Sequence, residues 1–498
     1  MTTRSRIEAQ RCADCERSDS AVTDLSPSQA LAIPATALAR LENAAGGGLT
    51  RRRALQHGVA GVAAVYAATQ LPWSRVFEAA RAEGAAGMQR SVVLIYLQGG
   101  ADSLNMFVPD DGAYTAYAAH RKLGQAAGIA RVQGAPSGPG QVGTTPMGGS
   151  GGSLAFANPL VSGAGRNGSS VGLDTLYGDG GPTSDLAIFP AADYNPPNRS
   201  HFESRDYWFA GALEQLSTGW VGRWLDRHGS RLNPLQAVSL DSSLSKQLRS
   251  SLAPVCALDG LNGIDFAMND GRGGSIVANP QLAQLAKLPA SSRNAALRRS
   301  RGVYGLTVDV SRQVGGLHVG STTAPYPSGS GLSERLRMAA TLLSAGLGTR
   351  FVTIDWGSFD THGDQVSAQD PQLAELSAAL AAFQADLRRR AIEDKVITLV
   401  FSEFGRRVDS NDSGGTDHGA GGPMMLMGSA IRGGLASPPS DPTRLDSNGD
   451  LIVKTDFRHV YKHVISEWLH TDPREILPDL PGGDLNRYDG SHTLLKAP

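Results

Sequence analysis

Four short segments of this 498-residue chain combine aspartate, histidine or serine with the flanking sequence of a loop. The most informative is Thr416-Asp417-His418-Gly419, where a carboxylate and an imidazole stand side by side in a glycine-rich stretch. Such neighbours can bind one metal ion together. The other three segments precede it: Gly99-Gly100-Ala101-Asp102, Arg199-Ser200-His201 and Asp360-Thr361-His362. Their order predicts a dispersed metal site that includes a nucleophile.

Hydrolysis of a phosphate or sulfate ester is the chemistry that these residue types suit. Cations stabilise the charge on the attacking and leaving oxygens and lower the pKa of the nucleophile. Carboxylates with imidazoles suit zinc or manganese, whereas shells of oxygen alone suit magnesium or calcium, so the sequence predicts a divalent metal without fixing its identity. Ser200 is the candidate nucleophile because it precedes a predicted helix, whose amino terminus favours an anion. Arg199 and Arg205 flank it and would clamp an oxyanion.

The same residues also have structural interpretations. Asp102 would cap a helix that begins near Ser103. Ser200 would cap the next helix, with His201 hydrogen-bonded in the core. A serine hydrolase in which His201 activates Ser200 is a third alternative, but no G-x-S-x-G elbow surrounds Ser200.

Buried strands and amphipathic helices must position these residues. Continuous apolar runs predict strands at Ser91–Leu97, Leu186–Pro190, Phe351–Trp356, Lys395–Ser402 and Met424–Met427. Helical periodicity predicts helices over residues 202–216 and 221–228, from Ser333, from Pro371, and over 457–469. Strands that alternate with helices of this length predict an α/β fold with a mostly parallel central sheet flanked by helices.

The carboxyl edge of that sheet is the expected place for the site. In open α/β sheets, ligands gather beyond the carboxyl ends of the strands. Asp102 follows the first predicted strand, Asp360 follows the third and Glu403 follows the fourth, so we expect them to converge. Glu403 is a candidate catalytic residue, and its alternative is a salt bridge with Arg406 or Arg407.

The first 82 residues predict an export signal. Arg51-Arg52-Arg53 lead into the apolar segment Val59–Leu71, and Ala80-Arg81-Ala82 offers a cleavage site. The paired arginines resemble a twin-arginine signal, which implies the twin-arginine export machinery as a partner and a periplasmic or extracellular location in a bacterium. The apolar run is too short and too polar to predict a stable membrane span after processing. An alanine-rich helix after a basic turn is the structural alternative.

Composition argues against several other classes and suggests the domain organisation. The net charge is -1, and no basic patch with interleaved aromatic residues predicts nucleic-acid binding. Cys12 and Cys15 lie in the amino-terminal segment, and its removal would leave Cys256 without an intramolecular disulfide partner. We expect one domain over residues 90–475, interrupted by a Gly/Ser-rich surface insertion at 131–182 and followed by a tail at 476–498.

Six ordered motifs resemble a known family. They are Gly99–Asn105, Arg199–Trp208, Phe359–His362, Phe401–Arg406, Gly415–Gly419 and Thr455–Arg458. Together they resemble the bacterial domain-of-unknown-function 1501 family over about residues 90–475. The resemblance implies twin-arginine export and an alkaline-phosphatase-like fold, grouped with phosphatases, sulfatases and phosphomutases.

The resemblance also implies two metal positions. The residues of the first would be Asp102, Ser200, Asp417 and His418. The residues of the second would be Asp360, His362 and a later histidine, His459, with His463 and His492 as alternatives. The chain departs from the superfamily pattern because Asp360 and His362 are two residues apart instead of four.

These observations predict an exported metal-dependent hydrolase that acts on small anionic esters, either phosphate or sulfate. Ser200 would attack, Arg199 would bind the anion, and Glu403 would assist. The alternative is a non-catalytic exported protein, with a binding or envelope role, on a degenerate form of the same fold. The short spacing between Asp360 and His362 favours this alternative.

Overall fold

The computed structural model describes residues 64–66, 89–136, 141–163, 166–258, 267–269, 275–277, 310, 314, 317 and 322–497. Its strands are β1 Ala64–Tyr66, β2 Ser91–Leu97, β3 Phe107–Pro109, β4 Thr144–Pro146, β5 Leu154–Ala157, β6 Leu186–Asp193, β7 Ala237–Ser239, β8 Val255–Ala257, β9 Ala267–Asn269, β10 Ser275–Val277, β11 Phe351–Trp356, β12 Val396–Ser402, β13 Gly405–Arg406, β14 His418–Gly419, β15 Gly422–Met427, β16 Gly434–Leu435 and β17 Thr455–Asp456. Its α-helices are α1 Tyr114–His120, α2 Leu173–Tyr177, α3 His201–Ala210, α4 Trp220–His228, α5 Gly331–Ser344, α6 Gln365–Arg389 and α7 Phe457–His463. Single turns of 3-10 helix lie at Ser103–Asn105, Asn158–Leu160, Pro234–Gln236, Lys246–Leu248, Glu393–Lys395 and Pro473–Glu475, and a π-helical turn at Val464–Trp468 extends α7.

A ten-stranded sheet forms the centre of the molecule. Its order is β1-β8-β7-β11-β2-β12-β15-β6-β16, and β17 also pairs with β6. β1 and β15 run antiparallel to their neighbours, and the other pairings in this sheet are parallel. The predicted α/β fold, with a mostly parallel sheet flanked by helices, is therefore confirmed.

Both faces of the sheet are buried, and β2 shows how. Val93, Ile95 and Leu97 point into one hydrophobic cluster, which α5 and α6 cover. Val92, Leu94 and Tyr96 point into the other, which α3, α4 and α7 cover. Side chains alternate along a strand, so a continuous apolar run is what a strand covered on both faces requires. Trp208, Trp220 and Trp224 lie in the second cluster, as expected of core residues.

The strands were easier to predict than the helix ends. β2 and β11 have the predicted bounds. The helix predicted over 202–216 ends at Ala210, because Gly211 adopts a left-handed conformation that terminates it. The helix predicted to start at Pro371 begins six residues earlier, after Asp364. The residues of its first turns are mostly polar, so they show no helical periodicity of apolar residues.

Residues near the predicted domain borders pack into the same fold. In the 131–182 region, β4 and β5 form a three-stranded antiparallel sheet with β3, and Leu154, Phe156 and Leu160 join the core that α6 covers. In the tail, Leu485 and Leu494 are buried in the other cluster. Both segments thus contribute apolar side chains to the domain.

The amino-terminal features lie largely outside the described residues. This applies to Arg51-Arg52-Arg53, to the cleavage site at 80–82, and to Cys12 and Cys15. Strand β1, within the predicted apolar segment, pairs with β8 at the edge of the sheet. Cys256 is buried and is not in a disulfide. No helix in the part of the chain that the structure describes has the length and apolarity needed to cross a bilayer.

Candidate metal centre

Asp360 lies at the carboxyl edge of the sheet, four residues after the end of β11. The turn after β2 packs tightly against it: a Cβ on Gly99, which has a φ of +104°, would lie 2.5 Å from the Asp360 amide nitrogen. Gly100 is equally confined, since a Cβ there would lie 2.3 Å from the Phe404 ring. Glycine is therefore required at both positions, and the Gly99-Gly100 pair brings the ends of three strands close together.

Three histidines surround the Asp360 carboxylate. Nε2 of His418 and Nε2 of His362 each lie 3.0 Å from Asp360 Oδ1, and the two nitrogens are 3.1 Å apart. Nε2 of His201 lies 3.3 Å from Asp360 Oδ2. That nitrogen is shielded from solvent, and the contact lacks the angles of a hydrogen bond, so it has no hydrogen-bond partner among the described residues. Three imidazole nitrogens thus converge on one carboxylate.

The other nitrogen of each ring is held by an acceptor. Nδ1 of His201 lies 2.7 Å from Glu403 Oε1, and Nδ1 of His362 lies 2.8 Å from Asp417 Oδ1. Nδ1 of His418 lies 3.0 Å from the main-chain carbonyl of residue 199. Because each acceptor requires a proton on Nδ1, a ring that is neutral would carry its lone pair on Nε2, the nitrogen that faces Asp360. Histidine ligands of metals are typically oriented in this way.

Glu403 is the most enclosed of these acceptors. It follows β12, is 1% exposed, and accepts hydrogen bonds from the amides of Gly99 and Gly100 as well as from Ser402 Oγ. Burial disfavours its ionised form, but these donors and His201 lower the pKa of Glu403 below its usual value. The carboxylate that orients His201 is therefore itself fixed.

The charges of the cluster are strongly coupled. Burial opposes ionisation of Asp360, but the three imidazoles and Arg406 outweigh it, so the pKa of Asp360 lies far below its usual range. Burial also opposes the charged form of His201, but Asp360 and Glu403 raise the pKa of His201 to about 9. Burial, together with the positive charges of Arg406 and His201, lowers the pKa of His418. The site thus stabilises positive charge at its centre.

The donor set fits a metal ion. Ligand atoms of His201, Asp360 and His418 all lie within 4.8 Å of one another. His362 is outside this group of three, but its Nε2 contacts Asp360 and His418. Three imidazoles with one carboxylate match the ligands that zinc and related transition metals prefer, and do not match the oxygen shells of magnesium and calcium. Nε2 of His201 is shielded from solvent and makes no hydrogen bond within the described part of the chain. A metal ion bound there would give this nitrogen a ligand bond.

Arg406 is the fixed cation of the site. Its guanidinium is buried and donates to the carbonyl groups of Gly99, Gly100, Phe359 and Thr416, and to Asp360 Oδ1 at 2.7 Å. The salt bridge between Glu403 and Arg406, offered from the sequence as an alternative role for Glu403, is replaced by an ion pair between Arg406 and Asp360. The hydrogen bonds of Arg406 tie together the segments that follow β2, β11 and β12.

Asp102 does not join the cluster. Its carboxylate makes a two-pronged ion pair with Arg121, at 2.6 and 2.9 Å, and accepts from Gln365 Nε2 at 2.5 Å. It also makes no side-chain capping bond to the turn at Ser103. Asp102 therefore forms a buried ion pair outside the group of converging donors, and it does not cap the turn that follows it.

Several other predicted site residues do not belong to the group of converging side chains. Asp417 orients His362 and is 64% exposed. The side chain of Arg199 is paired with Asp450. Ser200 directly precedes His201 at the start of α3, and its hydroxyl makes no capping bond. His459 lies elsewhere, in a cavity of about 390 Å³ where its Nε2 faces the carbonyl of Gly482.

Sequence reasoning did not include His201 among the candidate metal ligands. The residues of the cluster come from α3, from the loop after β11, and from β14, so no local spacing links them. A signal was nevertheless present. His201 occupies the first position of a helix that follows a buried strand, which places it at the same sheet edge as Asp360.

Comparison with known proteins finds one family match. Residues 308–465 match the family model described as "Protein of unknown function (DUF1501)". No curated protein matches the chain. Among solved structures, the PsFucS1 sulfatase from Pseudoalteromonas sp. aligns with 86% of this chain and 78% of that chain, at 10% identity and a TM-score of 0.25, a similarity too low to support an argument. The predicted resemblance to this family is therefore confirmed over residues 308–465, which are less than half of the chain.

Proposed function

We propose that this protein is a metal-dependent hydrolase of small anionic esters, with one metal-binding centre formed by His201, Asp360, His362 and His418. The observation that supports it is the convergence of three Nε2 atoms on one carboxylate, with every Nδ1 held by an acceptor. Structural histidines need no such shared target. A divalent cation at this centre would act as a Lewis acid and lower the pKa of an adjacent hydroxyl or water.

The surrounding residues have separate tasks in this proposal. Glu403 holds His201 in the tautomer that leaves Nε2 free. Arg406 fixes Asp360 in its ionised form through a bond of 2.7 Å. Ser200 supplies the nucleophile, because it directly precedes His201 in the chain and its hydroxyl is not used as a helix cap. Zinc or manganese suits the donor set better than magnesium or calcium.

A second function deserves consideration, which is metal binding without turnover. Two observations favour it. Asp102, which the two-metal pattern requires, is occupied by Arg121, and Arg406 already compensates the charge of Asp360. In this alternative the centre is structural or serves in binding a partner, and Ser200 has no catalytic role.

Metal analysis combined with hydrolysis assays separates the two functions. Metal content of the purified full-length chain is measured by mass spectrometry, and hydrolysis of an aryl phosphate and an aryl sulfate is followed for wild type, Ser200→Ala and His201→Ala. A matched control is Ser217→Ala, in an exposed part of the loop after α3. The hydrolase predicts one metal per chain and turnover that both site variants abolish and the control retains.

The other outcomes are equally informative. One bound metal without turnover of either ester supports the binding protein. Turnover that survives Ser200→Ala removes the serine nucleophile from the proposal. A chain that binds no divalent metal contradicts both functions.

We also propose that the chain is exported by the twin-arginine route, on the basis of its amino-terminal sequence. Replacing Arg51 and Arg52 by lysine should retain the precursor inside the cell, as fractionation and immunoblotting would show. Normal export of the double variant would refute this route. Cleavage after residue 82 would also remove β1 from the edge of the sheet.

A further inference from the structure

We propose that Arg205 forms an oxyanion-binding subsite beside the histidine cluster; this inference rests on the proposed function and identifies the residue that recognises the substrate's anionic group. Arg205 lies four residues after His201 on α3. Residues at this spacing share one face of a helix and lie about 6 Å apart. The guanidinium is therefore on the helix face that carries the first histidine of the centre.

The charge of Arg205 is poorly compensated by the rest of the protein. Its Nε is shielded from solvent and has no hydrogen-bond partner among the described residues. The nearest carboxylate oxygen belongs to Asp206 and lies 3.8 Å away. Asp206 is itself bound by Lys246, at 2.5 and 2.8 Å. The side chain is 29% exposed, so a ligand can reach it.

The other arginines near the sheet edge are already committed. Arg199 is paired with the buried Asp450. Arg406 is fully buried and surrounded by carbonyl groups and Asp360. Arg335 binds Asp241 at 2.9 Å and the carbonyl of Asp355. Within the described structure, Arg199 and Arg205 each have an Nε without a hydrogen-bond partner. Arg199 is nevertheless bound to a carboxylate through its Nη2, whereas the nearest carboxylate oxygen to Arg205 is 3.8 Å away.

The charge of Arg205 acts on Asp355 and Tyr96, which lie on neighbouring strands. Burial raises the pKa of Asp355 to about 7, with Asp241 contributing, and the charge of Arg205 opposes this rise. Burial likewise raises the pKa of Tyr96, with Glu403 raising it further and Arg205 lowering it. Asp355 and Tyr96 are paired across β11 and β2. The charge of Arg205 is therefore felt by two groups at the carboxyl ends of the central strands.

The chemistry of the subsite selects its ligand class. A planar guanidinium donates two parallel hydrogen bonds, which suits phosphate, sulfate or carboxylate oxygens. An end-on fork uses the two Nη groups and does not require access to Nε, which is shielded from solvent. Stacking of the guanidinium on Phe202, 5.6 Å from the ring centroid, holds the fork in place. We infer that the substrate is an anion whose tetrahedral oxyanion group is held by Arg205.

Inorganic phosphate is the probe that tests this inference. Its dissociation constant is measured by calorimetry on the full-length chain, with and without added zinc, for wild type, Arg205→Ala and Arg205→Lys. The control is Arg231→Ala, whose side chain is 49% exposed and lies near Asp226. Loss of the fork should weaken phosphate binding by about 10- to 100-fold in Arg205→Ala. We expect an intermediate loss in Arg205→Lys, no change in the control, and unchanged zinc stoichiometry throughout.

The outcomes distinguish the two proposals. Zinc binding with phosphate affinity that Arg205→Ala does not change overturns the subsite alone. Failure of zinc to bind, with phosphate affinity still dependent on Arg205, removes the metal centre and leaves the subsite. Sulfate that competes with phosphate, together with acetate that does not, supports the tetrahedral class. Acetate binding as tight as phosphate binding contradicts that class.

Discussion

Asp102 and Asp360 are two carboxylates in comparable places with different surroundings. Each follows one of the neighbouring strands β2 and β11, and each contacts an arginine. Asp102 is enclosed by Arg121 and Gln365, whose nitrogens always carry protons. Asp360 faces Arg406 and three imidazoles, whose Nε2 atoms can present lone pairs.

This difference determines what each carboxylate can do. The oxygens of Asp102 accept hydrogen bonds from groups that cannot coordinate a metal. A cation placed beside Asp102 would be repelled by the Arg121 guanidinium. A carboxylate among imidazoles becomes part of a ligand set once the ring protons are held at Nδ1. An aspartate after a strand is therefore an ambiguous signal, and the identity of its neighbours decides between ion pair and metal ligand.

The largest expected effect is on stability, in Asp102→Asn. The substitution leaves Arg121 as a buried charge without a counter-ion, which should lower the free energy of unfolding by about 3–5 kcal/mol. Urea denaturation measures the loss. The control is Asp412→Asn, whose fully exposed carboxylate pairs with Lys122 and should leave the midpoint unchanged. A stable Asp102→Asn protein would show that the two carboxylates differ less than their surroundings suggest.

The next effect is on metal affinity, in Asp360→Asn. Loss of the shared carboxylate should weaken zinc binding by at least about 100-fold, more than the loss of a group that only orients a ligand. Competition with a chromogenic chelator measures the affinity. Folded Asp102→Asn protein should bind zinc like wild type. Equal zinc affinity in wild type and Asp360→Asn would place the metal elsewhere.

A smaller effect should follow from Glu403→Gln. The amide retains an oxygen but can present a donor to Nδ1 of His201, which disturbs the tautomer that leaves Nε2 free. Zinc affinity should fall by about 10- to 100-fold, as for other groups that orient ligands. Glu203→Gln, on the exposed side of α3, is the control for removing a carboxylate from this region. Wild-type affinity in Glu403→Gln would mean that the orientation of His201 does not depend on it.

The smallest effect is expected in Asp417→Ala. Asp417 orients His362 as Glu403 orients His201, but its side chain is 64% exposed, so water can replace it. Zinc affinity should fall by about two- to fivefold. A loss as large as that in Glu403→Gln, in the same chelator competition, would show that burial is not what separates the two acceptors.

The strands of the central sheet could be predicted from the sequence because each is marked by its own apolar run. Continuous apolar runs such as those of β2 and β11 fit only a strand covered on both faces, and they predicted the bounds correctly. The start of α6 was not readable, because tertiary contacts stabilise its polar first turns. Gln365 bonds to Asp102 and Thr416, and Gln369 bonds to Thr361. These contacts are made with residues distant in sequence, so no periodic pattern in the sequence predicts them.

The site was readable in part for the same reason. Asp360, His362 and His418 were expected at the sheet edge, and the structure brings them together. Which aspartate meets which partner depends on loops whose course no spacing predicts. Asp102 was therefore included among the candidate ligands, with a helix cap as its alternative, and His201 was not included.

The most direct test of the central claim is a crystal structure of the zinc-soaked protein, with anomalous diffraction recorded on both sides of the zinc edge. The account predicts one anomalous peak bonded to Nε2 of His201, His362 and His418 and to an oxygen of Asp360, at distances of about 2.0–2.2 Å. A peak at Asp102, or no peak among these four side chains in crystals that bind zinc elsewhere, would contradict it.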